Sequence, residues 1–305
     1  MKRTYALVLT SPPDRPSLSD FAVARALASI PEVERLDSEW LSPSEAWQAR
    51  FLSDVPPTAI ALLRARVASA LNGITLDVNI VPDEIGKRRK KLLVADMDST
   101  IIGQECIDEM ADVFGLKERI SAITERAMRG ELEFEAALKE RLGLLAGLDE
   151  AELQGVFDSR IKLMPGARTL VATMKTHGAC TALVSGGFTF FTSRVAKAVG
   201  FDENHSNTLE FAGGKLTGHV VGPILGREAK RATLERLAAE GKLDASATLA
   251  VGDGANDLDM IRIAGLGVAY RAKPIVAAEA AASITHGDLT ALLFLQGYKR
   301  TEFVG

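Results

Sequence analysis

The sequence predicts an α/β fold: a three-layer, Rossmann-like parallel-sheet core with an inserted helical cap, preceded by a small ferredoxin-like α+β domain. Three observations lead there. A strand-like run over residues 91–95, apolar from Leu92 onward, leads straight into Asp96-Met97-Asp98-Ser99-Thr100. From residue 165 onward, short apolar runs alternate with helical patterns. Four further helical patterns crowd into residues 105–160, more than one crossover between strands needs. An unbroken apolar strand suits a parallel sheet covered on both faces. Alternating strands and helices suit right-handed crossovers around such a sheet.

The 305 residues give a prior of two domains and chain enough for a sizeable core. Hydrophobic residues at 47%, charged at 25% and aromatic at 6% are those of an ordinary globular protein. A net charge of −4 gives no pull toward nucleic acid or an anionic membrane. The one basic run, Lys87-Arg88-Arg89-Lys90-Lys91, precedes a buried strand in an acidic chain and is expected to be a solvated linker. Cys106 and Cys180 lie far apart with no Cys/His cluster, so neither a disulfide framework nor a zinc site is supported. The apolar stretch at residues 5–9 is too short for a signal sequence, and no run approaches a membrane span. A cytoplasmic location is expected.

Residues 1–85 read as the small domain. Residues 4–10 have the pattern of a strand, 12–16 of a loop, and 18–30 of a helix capped by Ser17 or Ser19. Residues 33–40 suit a strand, 47–52 are ambiguous, 58–72 form an amphipathic helix and 74–81 a half-buried strand. The order βαββαβ is ferredoxin-like. Nothing in it carries chemistry, since it has no acid pair, histidine or glycine-rich turn. Residues 82–86 and the basic run read as a linker to a second domain, residues 91–305.

In that second domain, helical patterns at 106–114, 118–129, 133–144 and 150–159 form the inserted cap, with Gly115, Gly130 and Gly147 near the breaks. A helix follows at 167–176, a strand at 180–184, the turn Ser185-Gly186-Gly187 and a helix at 191–199. Residues 209–224 alternate with glycine punctuation, as in a β-hairpin. Then come a helix at 228–240, a strand at 248–251, Gly252-Asp253-Gly254-Ala255-Asn256-Asp257, and a helix from Leu258. Strands at 267–270 and 283–284 and a helix at 289–295 finish the pattern.

Taken alone, Asp96-x-Asp98 is open between a strand end and a helix cap with an acidic first turn. Three strand ends with polar groups favour the first: Asp96/Asp98, Ser185-Gly186-Gly187, and Asp253/Asn256/Asp257. Ligands of open α/β sheets bind beyond the carboxyl ends of strands. His177, His205, His219 and His286 lie outside these motifs, so the available nucleophile is a carboxylate, which can form an acyl phosphate. Asp96 and Asp253 with water make a hard oxygen site suited to Mg2+. Backbone amides around Ser185 and Gly186 can hold phosphate oxygens. Lys230 falls in the first turn of a helix, the wrong end for a cation facing the macrodipole, which fits a phosphate counter-charge.

The motif Asp96-Met97-Asp98-Ser99-Thr100, Ser185-Gly186-Gly187, Lys230 and Gly252-Asp253-Gly254-Ala255-Asn256-Asp257 together resemble the four motifs of the haloacid dehalogenase superfamily of aspartyl phosphotransferases. The resemblance covers about residues 91–305, and Ser99-Thr100-Ile101-Ile102-Gly103-Gln104-Glu105-Cys106-Ile107-Asp108-Glu109 is similar to the phosphoserine phosphatases in particular. It implies Mg2+-dependent hydrolysis of O-phospho-L-serine, the last step of serine biosynthesis. Asp96 is then the nucleophile and Asp98 the acid and base. Asp96, Asp253 and the Asp98 main-chain carbonyl hold the metal, with Asp257 behind them or bound through water. Ser185, Gly186 and Lys230 hold the phosphoryl group, and Asn256 contacts substrate. Glu105, nine residues past Asp96, matches the position that reads the ammonium, and Arg141 the one that holds the carboxylate. Met128 and Phe134 match the apolar residues that close over the substrate. Singly, Glu105 and Arg141 would be ordinary solvated helix charges. Residues 1–85 resemble the ACT-like extension of longer bacterial members, by element order only. A phosphotransferase acting on another alcohol would keep every motif, whereas a non-catalytic amino-acid-binding regulator would be expected to lack one of the two aspartates. A homodimer is left open.

Overall fold

The β-branched and aromatic segments of the first 82 residues pair as one antiparallel sheet. Its strands are β1 (Arg3–Thr10), β2 (Glu34–Ser42), β3 (Ala46–Ser53) and β4 (Asp77–Pro82), in the order β2-β3-β1-β4. Crossovers are α1 (Asp20–Ala28) and α2 (Pro57–Ala70), so the ferredoxin-like order is present. Ser19 caps α1, its hydroxyl accepting from the Ala22 amide at 3.3 Å. Tyr5, Leu7 and Leu9 face the two helices with Ala22, Ala26 and Val67. Ala6 and Val8, on the other face, join the core that contains Phe294 and Tyr298. Burial of both faces also explains why residues 47–52 look ambiguous: β3 lies between β2 and β1 and has little exposed polar side to alternate with. This computed structural model describes residues 2–30, 33–84, 86–128 and 131–305, without the side chains of Pro57, Thr58 and Met128.

The apolar run before Asp96 forms β5 (Leu92–Ala95), and four helices follow it: α3 (Cys106–Val113), α4 (Lys117–Met128), α5 (Phe134–Leu144) and α6 (Glu150–Arg160). The α/β alternation then continues through α7 (Ala167–Thr176), β6 (Cys180–Phe188), α8 (Thr189–Val199), β7 (Glu203–Ala212), β8 (Lys215–Val221), α9 (Arg227–Glu240) and β9 (Thr248–Gly252). It ends with α10 (Leu258–Ile263), β10 (Leu266–Tyr270), α11 (Pro274–Glu279), β11 (Ala282–Ile284) and α12 (Ala291–Leu295). The sheet order is β11-β10-β9-β5-β6-β7-β8, parallel throughout except for the β7/β8 hairpin. Leu92 and Val94 pack on one face with Leu234 and Leu258; Leu93 and Ala95 pack on the other with Leu170 and Phe191. This two-sided burial is why the run has no alternation. Among the described residues, no helix is long and apolar enough to cross a membrane.

The inserted helices extend the same core through Met110, Ile120, Leu138 and Leu153. They are fastened to the β7/β8 hairpin: the Gly147 amide donates to Leu216 O at 2.7 Å and the Leu216 amide to Leu148 O at 2.8 Å. Gly218 sits at φ +87°, and a Cβ there would come within 3.2 Å of Leu142 O, so this approach requires glycine.

Two expectations are corrected. Ser185-Gly186-Gly187 is not a turn, because β6 continues through it to Phe188 with a register shift against β7. The basic run is not a solvated linker, since Arg88 and Lys90 are buried. The Arg88 guanidinium donates to Leu295 O at 2.9 Å and Phe294 O at 3.4 Å, and Lys90 Nζ to Lys87 O and Ser246 O, each at 2.7 Å. Burial lowers Arg88 to about 10 and Lys90 to about 8. The Arg89 guanidinium carbon lies 4.1 Å from the Tyr298 ring centroid, so Arg88 and Arg89 are both anchored to residues 294–298. Carbonyls at the last turn of α12 accept from Arg88.

Candidate active site

The three motif-bearing strands, β9, β5 and β6, are adjacent at the centre of the sheet. Connections leave β5 toward both sides there, so the polar groups at its carboxyl end face a common crevice. The Asp96 amide still donates to Val251 O at 3.0 Å, which continues the β5/β9 ladder one residue past the strand. Asp96 is therefore placed by the sheet.

Lys230 Nζ lies 2.6 Å from Asp96 Oδ1 and 2.6 Å from Asp257 Oδ1, and all three side chains are buried. Burial works against the lysine's charge, but the two carboxylates outweigh it and raise its pKa. Asp96 is pushed well above the usual carboxylate range by burial and by the Asp257 charge, with Lys230 opposing. Lys230 is thus a buried partner behind Asp96, not part of the cavity wall. Asp257 Oδ2 accepts from the Asp253 amide at 3.1 Å and the Gly254 amide at 2.9 Å. A Cβ on Gly252 would lie 2.3 Å from Asp257 Cγ, so the loop closes this tightly only with glycine there.

Asp98 Oδ1 accepts from the Cys106 amide at 3.0 Å, at the start of α3, and Oδ2 from the Ser185 hydroxyl at 3.0 Å. The Ser185 hydroxyl also receives the Gly187 amide at 2.8 Å. Burial raises Asp98 even against these donors. Asp253 is pushed up to about 6 by burial and by the Asp257 charge. One carboxylate oxygen from each of Asp96, Asp253 and Asp257 lies within 4.8 Å of the other two, a crowding that a cation would relieve. The Asp98 side chain is not in that group.

Asp96, Asp98, Ser185 and Asp253 line a cavity of about 430 Å3 whose walls also include Glu105, Phe134, Arg141, Gly186 and Asn256. Glu105 opens onto the cavity, yet burial on its other sides and the Asp98 charge push it up to about 7, against a 2.8 Å hydrogen bond from Ser99. Arg141 is half-buried, and its Nε is held by Ala137 O at 3.2 Å. Burial lowers its pKa, with Asp108 and Glu105 opposing. The Phe134 ring is 43% exposed, and its Cζ is 3.5 Å from where a Gly186 Cβ would be. Met128 ends α4, and its side chain is outside the described residues. None of the four histidines lines this cavity.

Four residues beside the site were given no role from the sequence. Thr100 donates to Asp253 Oδ1 at 3.3 Å. Asn207, buried on β7, donates to Gly186 O at 2.9 Å and accepts from the Leu225 amide at 2.7 Å, tying the end of β6 to the approach to α9. Asp108 and Lys273 also line the cavity. Thr100 closes the motif that begins at Asp96. A lone asparagine in an alternating strand carries no such signal.

The profile of the haloacid dehalogenase-like hydrolases matches residues 93–262. A phosphoserine phosphatase of Streptomyces coelicolor is 42% identical over 240 residues, 79% of this chain and 58% of that protein. The chain thus aligns with less than two thirds of that relative's length. One from Polaromonas sp. is 44% identical over 225 residues, 72% of this chain and 95% of that protein. Among solved structures, a HAD family hydrolase of Salmonella enterica serovar Typhi superimposes with a TM-score of 0.82 at 31% identity, covering 95% of this chain and 98% of the other. On the matched profile and these relatives, the chain belongs to the haloacid dehalogenase-like hydrolases, in the family of the phosphoserine phosphatases.

Proposed function

We propose that the protein hydrolyses O-phospho-L-serine to L-serine and phosphate in the cytoplasm, with Mg2+ and through an aspartyl phosphate on Asp96. The observation that supports this best is a single cavity with a lysine-partnered carboxylate on its floor and a Glu105/Arg141 pair on its wall. A phosphorylated amino acid needs one anion for its ammonium, one forked cation for its carboxylate and a nucleophile for its phosphorus. In this reading residues 1–85 are a separate domain from 91–305, and α3–α6 form a cap over the site.

Asp96 attacks the phosphorus in line, with Lys230 offsetting charge at its other oxygen. Asp98, raised by burial and oriented by Cys106 and Ser185, donates its proton to the departing serine oxygen. As a carboxylate it then takes a proton from the water that cleaves the aspartyl phosphate, which returns both aspartates to their starting states. Ser185, Gly186 and Asn256 border the phosphoryl group, while Phe134 closes over the substrate and excludes water. Hard carboxylate oxygens fit Mg2+: Asp96, Asp253 and the Asp98 main-chain carbonyl would hold it, with Asp257 behind them. When bound, it supplies positive charge against the repulsion between Asp96 and phosphate.

Phosphate release across phospho-amino acids and sugar phosphates, with Mg2+ and with EDTA, tests the reading. Preference for phosphoserine and loss of turnover in EDTA are expected; a sugar phosphate turned over faster would remove it. Equal yields of serine and free phosphate in the presence of added alcohols would exclude transfer to another acceptor. Arg141→Ala is expected to lower kcat/KM for phosphoserine by about 10- to 100-fold, the worth of a charge-assisted hydrogen bond. An aryl phosphate, which has no carboxylate, should lose far less; equal losses would show that Arg141 does not read the amino acid.

A further inference from the structure

The N-terminal sheet carries a buried carboxylate that the proposed chemistry does not use. Asp77, at the start of β4, is 5% exposed and reaches across to the loop after β11. Its Oδ1 accepts from the Thr285 amide at 2.8 Å and the His286 amide at 3.1 Å, and its Oδ2 from the His286 amide at 3.1 Å and the Gly287 amide at 2.8 Å. Beside it, Asn79 exchanges two hydrogen bonds with the Ser283 backbone, at 3.0 and 2.8 Å. A Cβ on Gly287 would meet Asp77 Oδ2 at 3.3 Å, so the loop and the carboxylate are closely fitted.

The clasped loop is connected to the active site along two routes. On one, the Arg271 amide donates to Ile284 O at 2.7 Å and its guanidinium to Gly287 O at 3.4 Å. Arg271 has φ +46°, a left-handed conformation that a non-glycine residue keeps only where its surroundings over-determine it. Two residues on, the Lys273 amide donates to Asp253 O at 3.1 Å, and Lys273 lines the active-site cavity. On the other route, the Leu289 amide donates to Pro165 O at 3.1 Å, and the Met164 amide to Ile101 O at 2.8 Å, in the loop that begins at Asp98.

We propose that Asp77 is a positioning residue of the active site: by holding residues 285–287 it fixes the Arg271–Lys273 segment and the loop after Asp98, and so the spacing of the carboxylates at the metal position. This gives the N-terminal sheet a role in catalysis without a ligand of its own. Arg141 stands on α5, away from both routes, so its hold on the substrate carboxylate should be spared. The inference rests on the reading of Asp96 and Asp253 as metal ligands.

The test compares the full chain with Asp77→Ala, Asp77→Asn and Asn79→Ala, measuring calorimetric Mg2+ affinity without substrate, kcat and KM for phosphoserine, and Tm. Asp77→Ala is expected to weaken Mg2+ binding and lower kcat by about fivefold each, with KM changed by less than about twofold, a coupling of the size seen between distant residues. Asp77→Asn, which keeps one acceptor oxygen, should recover part of both losses, and Asn79→Ala should lower Tm with little effect on metal affinity. A lower Tm in Asp77→Ala and Asp77→Asn with unchanged Mg2+ affinity and kcat would reduce Asp77 to a structural tie and overturn the proposal. If Asp77→Ala does not fold, Asp77→Asn alone decides between these outcomes. A wild-type protein that binds no Mg2+ would instead fail the metal-site reading on which the inference rests.

Discussion

Asp96→Asn is expected to abolish turnover of phosphoserine and of every other phosphate ester, with no acid-labile phosphoprotein trapped on rapid quenching. The amide is nearly the same size and can keep the contact to Lys230, so the change removes nucleophilicity while leaving the packing largely intact. Loss of a nucleophile that forms the covalent intermediate typically costs several orders of magnitude in kcat, on the order of 10⁴-fold or more. The fold should survive, because one of the three clustered carboxylates becomes neutral and their mutual repulsion falls. Near-normal turnover in Asp96→Asn would mean that another group attacks the phosphorus. Unchanged turnover with loss of the phosphoprotein would mean direct attack by water.

Lys230→Ala is expected to produce the largest combined effect on stability and rate. The ammonium sits 2.6 Å from two buried carboxylates, and its removal leaves both without their cation. Breaking a buried ion pair by deleting one partner costs about 3–5 kcal/mol, measured in denaturant with EDTA present. The deficit should depend on pH in a definite direction. Asp96 already has a folded pKa above its unfolded value, from burial and the Asp257 charge, and loses its opposing lysine. A carboxyl raised in this way penalises folding above its folded pKa and ceases to do so below its unfolded one. The stability gap between wild type and Lys230→Ala should therefore be widest near neutral pH and narrow as pH falls. Activity should drop by about 10²- to 10³-fold, as for removal of a preorganised charge beside the reacting group. A gap that widens on acidification would show that Asp96 and Asp257 are not the groups Lys230 supports.

Much of the site was legible because its signals are local. Each apolar strand followed at once by Asp, Ser or Gly marks both a strand end and a polar group presented there. Adjacency of β5 and β6 is the ordinary outcome for successive strands, whereas the pairing of β9 with β5 is decided by the tertiary structure. Lys230 was recognised by an electrostatic anomaly, a cation at a helix N-terminus, although the sequence pointed it at phosphate and the fold buries it between Asp96 and Asp257. In the sequence Ser185-Gly186-Gly187 has the pattern of a turn, because glycine pairs punctuate chains. Pairing with β7 and the hydrogen bonds to Asn207 hold it extended instead.

The sequence by itself determined the α/β class, the ferredoxin-like order of the first strands and the central acid pair. All of these depend on neighbours within a turn or a strand, where composition and periodicity act directly. Tertiary structure alone decided which charges are buried and what they touch. Arg88 looks like part of a solvated run until Leu295, 207 positions away, provides its acceptor. Asp77 looks like an ordinary strand-end carboxylate until the amides of residues 285–287 close around it. The energy of a buried charge depends on its partners and its distance from water, and neither is a property of the adjacent sequence.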